Sequence, residues 1–361
     1  MKDNNEKTAI ALRAIEGRTA SIPNPDEKVD SGKDFVSFGT GNQYPDFLYD
    51  CYTNCSILQS IVNGLTDYVA GSGFVNEETN DKIINNHDET WGDLIAKWTS
   101  DYIIFGAFAV QAIRNGLGQI NELYWIDVRR VRLDEDGEYV YYSKEWKKYG
   151  RDAKKYPRLQ GPNIHGSSIF YFKNPKSRGI YGLPMWSSAV KDVTTAIEIS
   201  NFHLSSILNN FAPSAIVNFN NGVPSEEQQK DIEKRLNEKF SGSDNASRLL
   251  VSFNDNKEQA VSIERLAEDS FDQKYAALAK SVRENIFVAF RAQPQLFGTD
   301  PDRTGFNSVE YSQSFKLFKK TVVEPIQREI EGAFKRMDPA FDFQLKEFEI
   351  QFEEQQTTPE V

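Results

Sequence analysis

The spacing of apolar residues in the first third of the chain predicts two amphipathic helices. The first runs from Asn54, with Thr53 or Asn54 as its cap and Gly71 as its end. The second begins at about Thr90. The apolar stripes consist of Ile57, Leu58, Ile61, Val62, Leu65 and Val69 in the first helix, and of Trp91, Leu94, Ile95, Trp98, Tyr102 and Phe105 in the second.

From residue 107 the period changes, and apolar and polar residues alternate as they do in strands. The segments are AFAVQAIR, NELYWIDV, RRVRL and EYVYYS, and SSIFYFK follows at 167–173. Asn115-Gly116 and Asp136-Gly137 interrupt them, and both dipeptides are typical of hairpin turns. The pattern therefore predicts one small antiparallel sheet over residues 107–143, behind the helices.

Two long helices are predicted in the second half of the chain. The stretch RGIYGLPMW (178–186) precedes about 25 residues without glycine or proline, a helix roughly 37 Å long. The second, DSFDQKYAALAKSVRENIFVAFRAQ, stops before Pro294. We expect both to pack through one stripe, with Trp186 and Tyr181 wedged at the elbow. The packing residues would be Trp186, Val190, Val193, Ile197, Leu204, Ile207, Phe271, Tyr275, Leu278 and Val282.

A compact α/β insert, residues 213–266, is predicted between the long helices. Its strands would be SAIVNFN, RLLVSF and AVSIERL, and its helix SEEQQKDIEKRLNEKF. A polar loop, LFGTDPDRTGFN, follows the second long helix and leads to a third. Because proline lacks a backbone N–H, Pro325 should kink or break that third helix near Val322.

Charge and composition narrow the function classes. Of the 361 residues 39% are hydrophobic and 12% aromatic, which indicates a folded protein. The net charge of −11 indicates that the protein lacks, on average, the basic face usual in nucleic-acid binders. From Met337 onward seven acids accompany one lysine, which predicts a solvated, partly frayed end. Residues 144–158 carry seven basic and two acidic residues, which favours an exposed loop. No apolar run suggests a membrane span, and the N-terminus lacks the apolar core of a signal peptide.

The sequence offers no convincing catalytic or metal-binding motif. GxxxxGK[ST], GxSxG and HExxH are absent. Cys51 and Cys55 have no second ligand pair, so no metal site and no cofactor are expected. Asp300, Asp302 and Arg303 could be drawn as an acid pair with an arginine, but TDPDRTG is more typical of a surface turn. We therefore expect a protein that is not an enzyme.

Several segments in order make the chain resemble the portal proteins of tailed bacteriophages, over roughly residues 45–336. They are YTNCSILQSIVNGLTDYVA, IIFGAFAVQAIRN, LYWIDVRRVRL, RGIYGLPMW, NNFAPSAIVNF, RENIFVAFRAQPQLFGT and FNSVEYSQSFKLFKKTVVEPIQREIE. The resemblance implies an α+β portal-type fold, with long stem helices, an α/β wing and a small α/β clip.

The resemblance also implies a division of the chain into domains. It would comprise an N-terminal arm (1–43), the wing (44–177), the elbow and first stem helix (178–212), the clip (213–266), the second stem helix (267–293), the tunnel loop (294–307), a kinked wing helix (308–336) and a short acidic crown or tail (337–361). Asp300, Asp302 and Arg303 would then face DNA from the tunnel loop.

The function implied is that of a homo-oligomeric ring, a dodecamer in the virion, at one capsid vertex. Double-stranded DNA would pass through it without sequence specificity during packaging and ejection. Its partners would be the terminase large subunit, the head–tail adaptor, and the major capsid and scaffold proteins, with no membrane. The ring would assemble in the bacterial host cytoplasm. An acidic channel suits this role, because a basic lumen would bind phosphates.

Two other function classes remain open from the sequence. One is a different virion structural protein, such as a minor head or adaptor protein, although the long helix–insert–helix centre argues against it. The other is an enzyme with an unrecognised site between residues 107 and 173, although no sequence motif supports this alternative.

Overall fold

The computed structural model describes residues 22–29, 32–159, 166–208, 216–219, 250–253, 271–298 and 308–350. Within these ranges the protein mixes helices and strands, which confirms the α+β class. One large apolar core contains residues from Val36 to Leu345. Distant parts of the described chain therefore share a single core.

The described residues before Gly71 form two short strands and two α-helices. Strand β1 (Glu27–Val29) pairs antiparallel with β2 (Val36–Phe38), and helices α1 (Tyr44–Asn54) and α2 (Ser56–Ala70) follow. The predicted cap at Thr53 or Asn54 is wrong, because both residues belong to α1, which the sequence did not predict. Cys55, with extended backbone angles, separates the two helices. The predicted end of α2 at Gly71 is confirmed.

Helix α3 and the first sheet enclose the centre of the core. Helix α3 (Trp91–Phe105) begins with a capping box between Thr90 and Asp93. It leads into a three-stranded antiparallel sheet in the order β4-β3-β8. The strands are β3 (Ala107–Arg114), β4 (Ile120–Ile126) and β8 (Gly166–Lys173).

The single predicted sheet is in fact two. Strands β5 (Val131–Leu133), β6 (Tyr139–Tyr142) and β7 (Lys154–Pro157) form a second antiparallel sheet in the order β5-β6-β7. A 3-10 turn at Val128–Arg130 separates the sheets. The Asp127 side chain accepts a hydrogen bond from the Arg129 N–H at 2.9 Å, which caps this turn and redirects the chain.

The basic segment 144–158 is likewise not a simple exposed loop. It contains the short helix α4 (Trp146–Tyr149) and strand β7. Trp146 is buried, with its ring 4.7 Å from that of Phe35. Aromatic residues between the lysines thus anchor the segment to the protein, a contact that charge counting could not predict.

The two predicted long helices are present. Helix α5 (Val190–Leu208) follows a 3-10 turn at Ser187–Ala189, and α6 is Phe271–Ala289. The first two predicted strands of the insert, SAIVNFN and RLLVSF, are confirmed as β9 (Ile216–Phe219) and β10 (Leu250–Phe253), which pair in parallel. The predicted insert helix and the strand AVSIERL lie outside the described residues.

The third long helix departs from regular α-helical geometry near Val322, where the sequence predicted a kink or break. Helix α7 (Ser308–Phe318) and helix α8 (Glu324–Met337) are joined by a π-helical turn at Lys319–Val323. Pro325 lies in the first turn of α8, directly after the π-helical turn, and it has no backbone N–H to donate. In α8, Phe334 is buried against Trp98 and Phe108 of the central core.

The acidic end is packed rather than frayed as far as Ile350. Residues 338–350, here called the strap, run across the core in extended form. The Val75 N–H donates to the Gln344 carbonyl at 2.9 Å, and the Lys346 N–H donates to the Gly73 carbonyl at 2.7 Å. Alternation explains the difference from the prediction: Phe343 packs inward, while Asp342, Glu347 and Glu349 are exposed.

The described ranges show no candidate for a membrane-spanning helix and no cluster of metal ligands. None of their helices has the length and apolar character needed to cross a bilayer. Within the same ranges, no three acidic, histidine or cysteine side chains group closely enough to hold a metal ion.

Gly106 provides a test of how α3 meets the rest of the fold. It ends α3 at φ 70°, and a Cβ built there would lie 2.2 Å from the Leu183 carbonyl. Gly106→Ala should lower the free energy of unfolding by at least about 1–2 kcal/mol, from the left-handed backbone alone. Denaturant unfolding measures this loss.

Gly116→Ala is the matched control, because a Cβ there meets nothing within 4 Å. Its free energy of unfolding should stay within about 0.5 kcal/mol of the parent protein. Equal stability of the two variants would show that the close approach at Gly106 is unimportant.

Candidate functional site

The elbow RGIYGLPMW is anchored to the core through Tyr181. Its buried hydroxyl donates to the Val36 carbonyl and accepts from the Leu133 N–H at 3.0 Å. Its ring stacks on Phe38 with centroids 4.5 Å apart and an interplanar angle of 13°. One side chain thus joins the elbow to β2 and to β5.

Glu27, more than 150 residues before the elbow in the sequence, also holds the elbow in place. Its two carboxylate oxygens accept from the backbone N–H groups of Ile180 and Tyr181, at 2.8 and 2.9 Å. Hydrogen bonds to an ionised acceptor are stronger than neutral ones. The role of Glu27 cannot be predicted from the sequence, because nothing near it in the chain indicates a partner more than 150 residues away.

Trp186 and two glycines fix the direction in which the chain leaves the elbow. The buried Trp186 indole donates from Nε1 to the Ile103 carbonyl at 3.1 Å. A Cβ on Gly182 would lie 2.2 Å from the Gly106 carbonyl oxygen, so the two backbones touch there. The start of α5 is therefore tied directly to the end of α3.

A buried guanidinium lies beside this anchor. Arg132 is 0% exposed, and it donates to the Asn42 carbonyl from Nη2 at 2.8 Å and to the Val131 carbonyl from Nη1 at 2.6 Å. Among the described residues no carboxylate forms an ion pair with it. Burial lowers the pKa of Arg132, while burial raises the pKa of Tyr181 above its usual value. Burial also raises the pKa of Tyr171 to about 12, so the nearby phenols stay neutral.

Helices α5 and α6 run antiparallel and touch along their length. Near the elbow, Asn285 Nδ2 donates to Asp192 Oδ1 at 2.8 Å. Farther out, Phe202 stacks on Tyr275 with centroids 5.0 Å apart. Residues later in α5 therefore lie beside residues earlier in α6.

Burial along this pair falls with distance from the elbow. Trp186, Val190, Val193 and Val282 are buried, and Ile197 and Tyr275 are half-buried. Leu204 and Leu278 are 56% and 45% exposed. The side chains of Ile207 and Phe271 lie outside the described residues. The apolar stripe thus continues along both helices past the point where the described residues bury it.

A cavity of about 590 Å³ lies where the long helices meet the core. Its wall includes Met185 from the elbow, Ala289 and Arg291 at the end of α6, and Pro325 and Glu329 of α8. In this wall the Tyr102 hydroxyl donates to Glu329 in a short hydrogen bond. Burial and this bond raise the pKa of Tyr102 above its usual value. The elbow, the end of α6 and helix α8 therefore all line the same cavity.

The predicted DNA-facing residues Asp300, Asp302 and Arg303 lie outside the described residues. So does most of the insert between the long helices. The site that can be described is therefore the elbow with the inner part of the paired helices.

A sequence model described as "Phage portal protein" matches residues 75–357. The chain belongs to the phage portal protein family. This confirms the resemblance drawn from the order of the sequence segments. Phage portal proteins are a structural rather than a catalytic family.

Two curated relatives, both called "Uncharacterized protein", come from Rickettsia. The one from Rickettsia bellii (strain RML369-C) is 30% identical over 181 residues, which cover 47% of this chain and 45% of the relative. The one from Rickettsia felis (strain ATCC VR-1525 / URRWXCal2) is 29% identical over 145 residues, which cover 40% and 36%. The chain thus matches less than half the length of these relatives.

Solved structures of gene transfer agent (GTA) particles share the fold. A chain in the neck of an empty particle, computed with C6 symmetry, superposes with a TM-score of 0.53 at 17% identity, covering 82% of this chain and 81% of the other. A chain in the neck of a native particle, computed with C12 symmetry, gives 0.52 at 17% identity, with 83% of both chains covered. These similarities support the portal-type fold.

Tyr181→Phe tests the anchor of the elbow. The change keeps the ring on Phe38 but leaves the Val36 carbonyl and the Leu133 N–H without their buried partner. The free energy of unfolding should fall by about 1–3 kcal/mol, measured by denaturant titration.

Tyr139→Phe is the control, because the Tyr139 ring is partly exposed and its hydroxyl bonds to no described residue. It should change the free energy of unfolding by less than about 0.5 kcal/mol. A loss of equal size in both variants would contradict a special role for Tyr181.

Proposed function

We propose that this chain is the repeating subunit of a ring at one capsid vertex, through which double-stranded DNA is packaged and ejected. The observation that carries the proposal is the antiparallel pair α5 and α6, buried near the elbow and apolar but exposed farther out. Membership of the phage portal family and the fold shared with particle necks support it.

The exposed apolar side chains favour contacts between copies. Leu204 and Leu278 in the outer part of the pair, and Val288 at its elbow end, are exposed in the single chain, where a neighbouring helix pair could cover them. Repeated contacts between two different faces close into a ring when the rotation allows it. A dodecamer in the virion would match the C12 neck that shares the fold.

The domain assignments become proposals on this basis. Residues 44–177 and 308–336 would form the wing, 178–212 and 267–293 the elbow and stem, 213–266 the clip, and 294–307 the tunnel loop. Asp300, Asp302 and Arg303 would face the DNA. The strap packs on the same core as α2 and α8, so we assign it to the wing rather than to a crown.

The partners follow from this arrangement. The clip would dock the terminase large subunit during packaging and the head–tail adaptor afterwards, and the wing would contact the major capsid and scaffold proteins. The motor would be a separate chain, since this sequence carries no GxxxxGK[ST] motif. A net charge of −11 suits a channel in which DNA slides without sequence-specific binding. The ring would assemble in the host cytoplasm and remain in the virion.

Electron microscopy of the purified protein, combined with native mass spectrometry, tests the proposal. We expect rings with a central hole wide enough for duplex DNA and a mass that is a multiple of 41.1 kDa. A protein that stays monomeric at high concentration, even with capsid and scaffold proteins present, would overturn it. Electron microscopy of virions would then report its copy number for a different structural role.

Leu204→Asp and Ile197→Asp test whether the stripe builds the ring. A buried, unpaired carboxylate at a helix contact is costly, so the protein concentration at half assembly should rise at least about tenfold. Folding of the Leu204 variant should be unchanged, because the side chain is exposed in the single chain. Native mass spectrometry across a concentration series gives the readout.

Thr195→Asp is the matched control, because it adds the same charge on the opposite, polar side of α5. Its assembly should resemble that of the parent protein. Equal assembly of all three variants would remove α5 from the proposed interface.

A further inference from the structure

The second sheet, β5-β6-β7, carries opposite charges at its two ends. The turn between β5 and β6 exposes Glu135, Asp136 and Glu138. The connection from β6 to β7, together with the first residue of β7, exposes Lys144, Lys147 and Lys154. These groups are here called the acidic turn and the basic end.

The antiparallel register places the two groups on opposite ends of the sheet. Tyr139, next to the acidic turn, lies opposite Pro157, whereas Tyr142, next to the basic end, lies opposite Lys154. At about 3.3 Å per residue, strand β6 separates the ends by roughly 13 Å. This separation is too large for direct ion pairs between the two groups within one chain.

Neither group forms an ion pair within the part of the chain that the structure describes, although Arg158 and Lys155 lie near the acidic turn and reduce its excess charge. None of the three lysines of the basic end and none of the three acids of the acidic turn forms an ion pair there. Elsewhere on the surface several lysines do pair with acids, as in Lys97–Glu89, Lys320–Glu324 and Lys346–Glu77. Glu145 and Asp152 lie within the basic segment and reduce its excess charge without reversing it.

Both ends are held in place by ordered contacts. At the acidic turn, Arg158 Nη1 donates to the Gly137 carbonyl at 3.2 Å. At the basic end, the Ser143 N–H donates to the Arg130 carbonyl at 3.0 Å, and Trp146 is buried on Phe35. The exposed charges are therefore presented from a fixed frame, which lowers the entropy cost of a contact.

We propose that the acidic turn of one copy contacts the basic end of the next copy around the ring. This inference rests on the proposed ring function and adds to it a defined contact between neighbours. A head-to-tail interface needs two different, complementary patches on the same chain, and this sheet supplies them. Complementary charges would also set the register and speed the encounter of subunits.

Charge reversal with rescue tests the contact. One variant carries Lys144→Glu and Lys147→Glu, so both ends become acidic. The other carries Glu135→Lys and Asp136→Lys, so both ends become basic. In either variant alone, the protein concentration at half assembly should rise about tenfold, as for the loss of one or two surface ion pairs at each contact.

Two combinations should restore assembly to within about threefold of the parent protein. The first is a single chain with all four substitutions, which exchanges the two ends. The second is an equimolar mixture of the two variants, which can alternate around a ring with an even number of subunits. Native mass spectrometry detects mixed rings, and higher ionic strength should weaken assembly of the parent protein.

A chain with Asp81→Lys and Lys82→Glu is the control, because both side chains are exposed and lie outside the second sheet. It should assemble like the parent protein. If the parent forms rings and both reversed variants form them equally well, the charges are only solvated and the contact is overturned. Loss of assembly without rescue also overturns it. Absence of rings from the parent protein would instead overturn the ring function itself.

Discussion

The hydroxyl of Tyr181 is the interaction on which the arrangement of the protein most depends. It donates to the Val36 carbonyl and accepts from the Leu133 N–H, so a single buried hydroxyl satisfies one polar backbone group on β2 and one on β5. The approach works only because Gly106 and Gly182 let the elbow backbone touch the end of α3. A buried polar group left without its partner is costly, so these three segments are stable only together.

The anchored elbow explains why burial falls along the long helices. The helix pair is fixed at its base, where Trp186 and Val193 lie in the core. Apolar side chains of the stripe farther along the pair remain exposed. Beyond Ile197 the described chain supplies little to cover that stripe. The outer part of the pair is therefore expected to gain stability from another copy, whereas its direction is already set by the single chain.

Local signals account for what the sequence predicted, and distant contacts account for what it missed. The start of α3 at about Thr90 and the disturbed helix before Pro325 follow from a few neighbouring residues, and both are present. The burial of Val190, Val193 and Val282 follows from helical periodicity. The division into two sheets depends on one 3-10 turn, and the role of Glu27 depends on residues far away in the chain. Neither leaves a periodic pattern in the sequence.

Net charge was the least informative property, because it averages over groups with different surroundings. Three acids of the strap have basic partners: Asp342 pairs with Lys335, Glu347 with Lys319, and Asp338 with Arg114. The two lysine pairs lie at the surface and add little stability singly, but they remove the repulsion that a purely acidic tail would suffer. The charges at the two ends of the second sheet have no such ion pair within the described chain. An acidic protein can therefore still carry a basic contact surface, provided that the opposite charge is offered by the next copy.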